Sequence, residues 1–223
     1  MTAVLDFAAI RAELNQGNRV LMLVRHAERP HIDKDDKTFG ATLPLTENGK
    51  RMCVDFGQRL QGASQSVQFR ASPLLRTVMT ARLIAQGMGI GNPCIVPDDL
   101  IGNGSCFISD LLAVWELFRD GSFFEKMMSY MSKGTQIGFA PLFQAAETYE
   151  DYVVSNFSAQ FGIFATHDIF VAAYLHAKGV KTDWNPDNWP RFLDSAVIII
   201  DSLRRRRYAL FRAGLSNLVS GVD

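Results

Sequence analysis

Two histidines, each at the end of an apolar run, are the residues of this 223-residue chain best suited to chemistry. In Leu21-Met22-Leu23-Val24-Arg25-His26-Ala27-Glu28-Arg29-Pro30, a run of strand length stops at Arg25, His26 and Arg29, and Pro30 bars further regular strand. Later, Gly162-Ile163-Phe164-Ala165-Thr166 stops at His167-Asp168. A neutral imidazole can attack an electrophile while guanidiniums hold an anion. A third arginine, Arg76, stands one turn into a helix that the Ser72-Pro73 pair should open. Three arginines and two histidines sharing one pocket are costly unless an anion balances them. A phosphoryl group fits best, because its tetrahedral oxygens accept forked guanidinium hydrogen bonds.

The elements that would bring these residues together can be read from periodicity. A short amphipathic helix with Phe7, Ile10 and Leu14 on one face stops at Gly17 and leads into a strand over Arg19 to Val24. Thr46 reads as the N-cap of a helix from Glu47 to Leu60. A strand over Val67 to Ala71 precedes a helix from Leu74 to Gln86, ended by Gly87 and Gly89, and Cys94 to Val96 forms a third strand stopped by Pro97. From Asp98 to Thr148 helical periodicity with many aromatics replaces the alternation. A helix from Glu147 to Gln160 returns the chain to the Gly162 to Thr166 strand, and a helix bearing Phe170, Val171, Ala173 and Tyr174 follows. Ala196 to Asp201 and Tyr208 to Phe211 read as two last strands joined by an Arg204 to Arg207 turn.

This succession predicts one α/β domain over residues 1–223: a three-layer sandwich with a mostly parallel central sheet and helices on both faces. Residues 98–148 form a helical insertion near the active face. Ligands in such folds bind at the carboxyl ends of the parallel strands, where both histidines should stand.

The segments RHAERP, SPLLRTVMTA and THD, in that order and each after an expected strand, resemble the histidine phosphatase superfamily. That superfamily includes the cofactor-dependent phosphoglycerate mutases and the histidine acid phosphatases. The resemblance implies that His26 attacks phosphorus and becomes phosphohistidine. It further implies that Arg25 and Arg76 hold phosphoryl oxygens, that His167 is the second pocket histidine, and that Arg29 is a further phosphate-binding arginine. Asp168 matches the proton donor of the acid phosphatase branch. The sequence departs from the pattern at Ala27, where glycine is usual, and at His31, which follows Pro30. The mutase-like branch places its acid after the second arginine, where Asp98 and Asp99 stand here, and Glu28 is another nearby carboxylate.

Independently of the resemblance, the arginines and a protonated His167 would stabilise the transferring phosphoryl group, and a carboxyl beside the pocket would protonate the leaving alkoxide. The expected activity is therefore a phosphoric monoester hydrolase that uses neither metal nor cofactor. A mutase-like phosphotransferase and an inactive phospho-ligand-binding regulatory module are the alternatives. The expected partner is a small phosphomonoester or phosphorylated side chain, with oligomeric state left open. Lysine plus arginine equals aspartate plus glutamate at 23 each, so no global field draws nucleic acid or an acidic membrane. Cys53, Cys94 and Cys106 show no metal-ligand spacing and read as buried or half-buried thiols, which with an N-terminus unlike a leader fits a cytoplasmic location.

Other polar residues have plainer readings. His31 lies in a polar loop and His176 on a helix beside Lys178, both away from catalysis, and Ser72 and Thr80 serve helix capping and packing. The arginine run at 204–207 is a solvated hairpin tip. The loop from His31 to Pro44, with Phe107, Trp115 and Phe139, should shape the entrance.

Overall fold

The apolar run that ends at Arg25 is the central strand of the molecule. A computed structural model describes residues 4–214. In chain order it contains β1 (Val4–Leu5), α1 (Phe7–Asn15), β2 (Arg19–Arg25), α2 (Glu47–Leu60), β3 (Val67–Ala71), α3 (Leu75–Gly87) and β4 (Ile95–Pro97). A short 3-10 turn (Asp99–Ile101) precedes α4 (Leu111–Phe118), α5 (Phe123–Lys133), α6 (Leu142–Ser155), β5 (Phe161–Thr166), α7 (Asp168–Ala177), β6 (Ser195–Ile200) and β7 (Arg206–Phe211).

The strands form one seven-stranded sheet in the order β1-β7-β6-β2-β5-β3-β4. All neighbours run parallel except the two pairs made by β6. β5 lies between β2 and β3, with Arg25 opposite Thr166 and Ala165 opposite Ala71. Three strands thus end at one edge, and the residues that directly follow them are His26, His167 and Ser72.

Both faces of the sheet are covered, which is why its strands read as nearly continuous apolar runs. Alternation along β2 splits them: Val20, Met22 and Val24 pack with α1, α2 and α3, whereas Leu21 and Leu23 pack with α5, α6 and α7. Helices α2 and α3 approach very closely. A Cβ on Gly57 would lie 2.1 Å from the Ile84 carbonyl oxygen, and one on Gly87 would lie 2.2 Å from that of Val54. Only glycine admits this contact, which fixes α3 and hence Arg76 against the rest of that layer.

Several boundaries differ from expectation. β1 is two residues long, too short to leave a periodic signal. α6 begins at Leu142, directly after Pro141, and ends at Ser155, so it lies upstream of the helix expected over Glu147 to Gln160. Gly87 is the last residue of α3, and Gly89, at φ +82°, is the glycine that turns the chain away. In the last hairpin Arg206 and Arg207 belong to β7; the turn is closed by the Asp201 carboxylate, which accepts from the Leu203 and Arg205 N–H groups and from Arg205 Nε. Phe107, Trp115 and Phe139 are buried in the helical layer, with Lys37 of the 31–44 loop 4.9 Å from the centre of the Trp115 ring. Cys94, expected to be at least half-buried, is exposed beside edge strand β4. Among the described residues no helix is long and apolar enough to cross a membrane.

Candidate active site

His26 leaves β2 with its backbone N–H bonded to the Thr166 carbonyl, so the strand pairing itself delivers it to the sheet edge. The next N–H, of Ala27, donates to Thr80 Oγ1, whose hydroxyl donates in turn to the Arg76 carbonyl. Thr80 therefore tethers the turn after β2 to helix α3. His26 is 3% exposed, and its Nδ1 lies 2.8 Å from its neighbour's carbonyl, Ala27 O. A carbonyl can only accept, so Nδ1 carries the proton and the lone pair is on Nε2.

His167 lies beside it, with ring centroids 5.5 Å apart and planes at 67°. Its Nδ1 is 3.5 Å from Arg76 Nη2 and its Nε2 is 3.1 Å from Ser72 Oγ. A guanidinium only donates, so Nδ1 is the accepting nitrogen and Nε2–H donates to Ser72. Ser72 thus has a contact that its expected capping role did not foresee: the first helical residue is Leu75, and the Ser72 hydroxyl faces His167. A Cβ on Gly102 would fall 2.4 Å from that hydroxyl, so the chain after the 3-10 turn closes over it.

Arg76 is 3% exposed and donates from Nη1 to the carbonyls of Phe39 at 3.0 Å and Gly40 at 2.9 Å. Phe39 adopts φ +53°, a left-handed conformation unusual for a bulky side chain, and it turns its carbonyl onto the guanidinium. Burial, then the Arg29 charge, pull Arg76 down to about 10. Arg25 donates from Nη1 to Pro190 O at 2.6 Å, pairs from Nη2 with Asp168 Oδ2 at 3.3 Å, and stacks 4.4 Å from the centre of the Phe192 ring. Arg25 Nε and Arg76 Nε are buried donors without a hydrogen-bond partner among the described residues. Arg29 donates to Pro30 O at 2.8 Å and lies near enough for its charge to depress both Arg76 and His167.

Both imidazoles are held well below the ordinary histidine range, first by burial and then by the Arg76 charge. Without an anion between the guanidiniums, burial and Arg76 thus favour the neutral form of His167. An anion between the guanidiniums would offset their charge and raise both values.

The candidate acids are distributed differently. Asp168 opens α7; its Oδ1 accepts from Ile169 N at 2.9 Å and its Oδ2 from Trp189 Nε1 at 3.0 Å, besides the Arg25 contact. Glu28 is bonded to Thr46 Oγ1 and Asn48 Nδ2, so it ties the loop after β2 to the start of α2. Asp98 is engaged by Arg70 Nη1 at 2.8 Å and by Tyr152 OH, and Asp99 is exposed. His31 is exposed and His176 is half-buried on α7. Among the described residues no group of three or more histidine, cysteine, aspartate or glutamate side chains is arranged to hold a metal ion.

The sequence reading missed the segment between α7 and β6, which lies against the site through Trp189, Pro190 and Phe192. Its signal, a tryptophan between Asn188 and Pro190 in a polar loop, marks a turn and carries no catalytic residue type. It also missed the Phe39 and Gly40 carbonyls, because a backbone acceptor leaves no trace in side-chain identity.

Residues 21–101 match the family model of the histidine phosphatase superfamily, branch 1, a stretch that includes His26 and Arg76. Among solved structures, mycobacterial glucosyl-3-phosphoglycerate phosphatase superposes with a TM-score of 0.57 at 15% identity, covering 88% of this chain and 99% of that one. The chain carries the histidine phosphatase fold. A phosphoserine phosphatase from Entamoeba histolytica has the same fold, with a TM-score of 0.51 at 15% identity over 86% of this chain and 94% of that one. Phosphoglycerate mutase from Bacillus anthracis has it too, with a TM-score of 0.54 at 12% identity over 88% and 93%. No curated protein sequence matches the chain. The histidine phosphatase fold thus hosts both phosphatases and mutases among these neighbours.

Proposed function

We propose that the protein is a phosphomonoesterase that works through a phosphohistidine on His26, without a metal in the reaction. The observation that carries this reading is the meeting of His26 and His167, 5.5 Å apart between ring centres, among the guanidiniums of Arg25 and Arg76. Nε2 of His26 has the lone pair, so it attacks phosphorus while the ester P–O bond breaks. Asp168, met by Arg25, Trp189 and Ile169 as a carboxylate, takes the proton of the bound monoanionic ester and passes it to the departing alkoxide. Water then loses a proton to Asp168 and attacks phosphorus, the P–N bond breaks, and inorganic phosphate leaves. Throughout, Arg25, Arg76 and Arg29 hold the non-bridging oxygens, and His167 joins them once the arriving anion favours its protonated form, which suits a transfer that depends on positioning and charge stabilisation.

The substrate class is a compact phosphorylated metabolite or phosphorylated side chain. It is in keeping with structural neighbours that are a glucosyl-3-phosphoglycerate phosphatase and a phosphoserine phosphatase. The test is hydrolysis of p-nitrophenyl phosphate in the presence of a chelator. The wild-type protein should turn it over with no added phosphoglycerate, Arg76→Ala should lose about 10²-fold or more in rate, and His26→Ala should fall to background. Undiminished turnover by His26→Ala would remove the proposal.

A further inference from the structure

Asp168 sits at the first position of α7, where a side chain that capped only its own helix could swing about χ1. Three donors converge on it from different segments. Ile169 N holds Oδ1, while Arg25 Nη2 from the end of β2 and Trp189 Nε1 from the loop before β6 both engage Oδ2. The indole is held in place. Trp189 is 7% exposed, and its ring meets Phe123 edge-on at 5.8 Å, Phe124 at 5.4 Å and Trp184 at 5.8 Å. Its carbonyl accepts from Arg212 Nη1, and the next carbonyl, of Pro190, accepts from Arg25. Trp115 and Trp184 leave their indole N–H groups without a hydrogen-bond partner among the described residues, so the use of this one is particular to Trp189.

We propose that Trp189 is a positioning residue for the proton-donating carboxyl of Asp168, and that Phe123 and Phe124, in the first turn of α5, set the position of the indole. The proposal rests on the reading of Asp168 as the acid. A general acid must lie within hydrogen-bond reach of the leaving oxygen, and small misplacements of such a group cost large factors in rate. The helical insertion therefore reaches Asp168 through the contacts of Phe123 and Phe124 with Trp189.

Trp189→Phe keeps an aromatic ring against Phe123 and Phe124 and deletes only the N–H. Rates are compared on p-nitrophenyl phosphate, whose leaving group needs little protonation, and on an alkyl phosphate, whose leaving group needs a proton. The variant should lose about tenfold on the alkyl ester and no more than about threefold on the aryl ester. Phe124→Leu, remote from the carboxyl, should shift the same ratio in the same direction by a smaller factor. Combining Trp189→Phe with Asp168→Asn should cost nothing beyond Asp168→Asn alone. Equal losses on both esters, or an unchanged ratio in both variants, would overturn the proposal. Asp168→Asn measured alongside separates the two failures. If it discriminates between the esters and Trp189→Phe does not, only the positioning role falls. If Asp168→Asn does not discriminate, the acid assignment falls first and takes this proposal with it.

Discussion

A buried imidazole among guanidiniums is held neutral, and that has a measurable cost away from neutral pH. The unfolded chain takes up protons on His26 and His167 near the ordinary value of 6.5, while the folded protein resists until well below it, because burial and Arg76 oppose the charge. Between those limits the unfolded state binds more protons, so stability rises with pH and is lost as pH falls from 6.5. For each histidine the slope in that window is about one kcal/mol per pH unit. Denaturant unfolding of the protein without phosphate, at pH 7.5 and 5.5, should show this loss. His26→Asn and His167→Asn should each flatten it, and identical slopes in wild type and both variants would contradict the electrostatic description. The same residue scale shows what was legible in the sequence. His26, His167, Arg25 and Arg76 could be picked out because each stands at a strand end or a helix start, where residue type and punctuation coincide. Ser72 could be seen but was read as a cap, since its serine-proline context explains it equally well without a histidine nearby.

At the scale of elements, the site is a consequence of register. Because Arg25 pairs with Thr166 and Ala165 with Ala71, three strands end level and the residues after them meet. Arg76 reaches that edge from a helix whose place is fixed by the glycine contact between α2 and α3. Gly57→Ala would put a methyl group 2.1 Å from a backbone oxygen and force the helices apart. It should destabilise the protein by about 1–3 kcal/mol, read as a lower denaturation midpoint with an unchanged slope. It should also lower activity at temperatures where the protein remains folded, because the arginine moves with its helix. A neutral effect on both would mean that the two helices have room to part. Several helices and strands were legible from their periodicity and punctuation, as in α2, where Thr46 caps the expected residues Glu47–Leu60, whereas α4 and α5 were read only as one helical stretch. They were not legible at β1, which is held by pairing with β7, or at the start of α6, where packing and Pro141 outweigh local pattern.

The molecule as a whole divides its labour between the two layers. The α1–α3 layer supplies Arg76 and its tether through Thr80; the other layer carries Asp168 on α7 and, through α5 and Trp189, the clamp on its carboxyl. Alternating strand and helix made the three-layer architecture readable, and the aromatic richness of residues 98–148 made that stretch readable as helical. Its place near the active face was expected, but the residues that make the contact were not readable, because Phe123 and Phe124 lie far from Trp189 in the chain and meet it only in the fold. The central claim is that His26 accepts the phosphoryl group. It is tested most directly by rapid-quench trapping after mixing the protein with a radiolabelled phosphomonoester in chelator. The account predicts up to one phosphoryl group per chain, labile in acid, stable in base and located on His26, with none in His26→Ala. Hydrolysis at the wild-type rate with no such species at any quench time, or with the label on another residue, would contradict it.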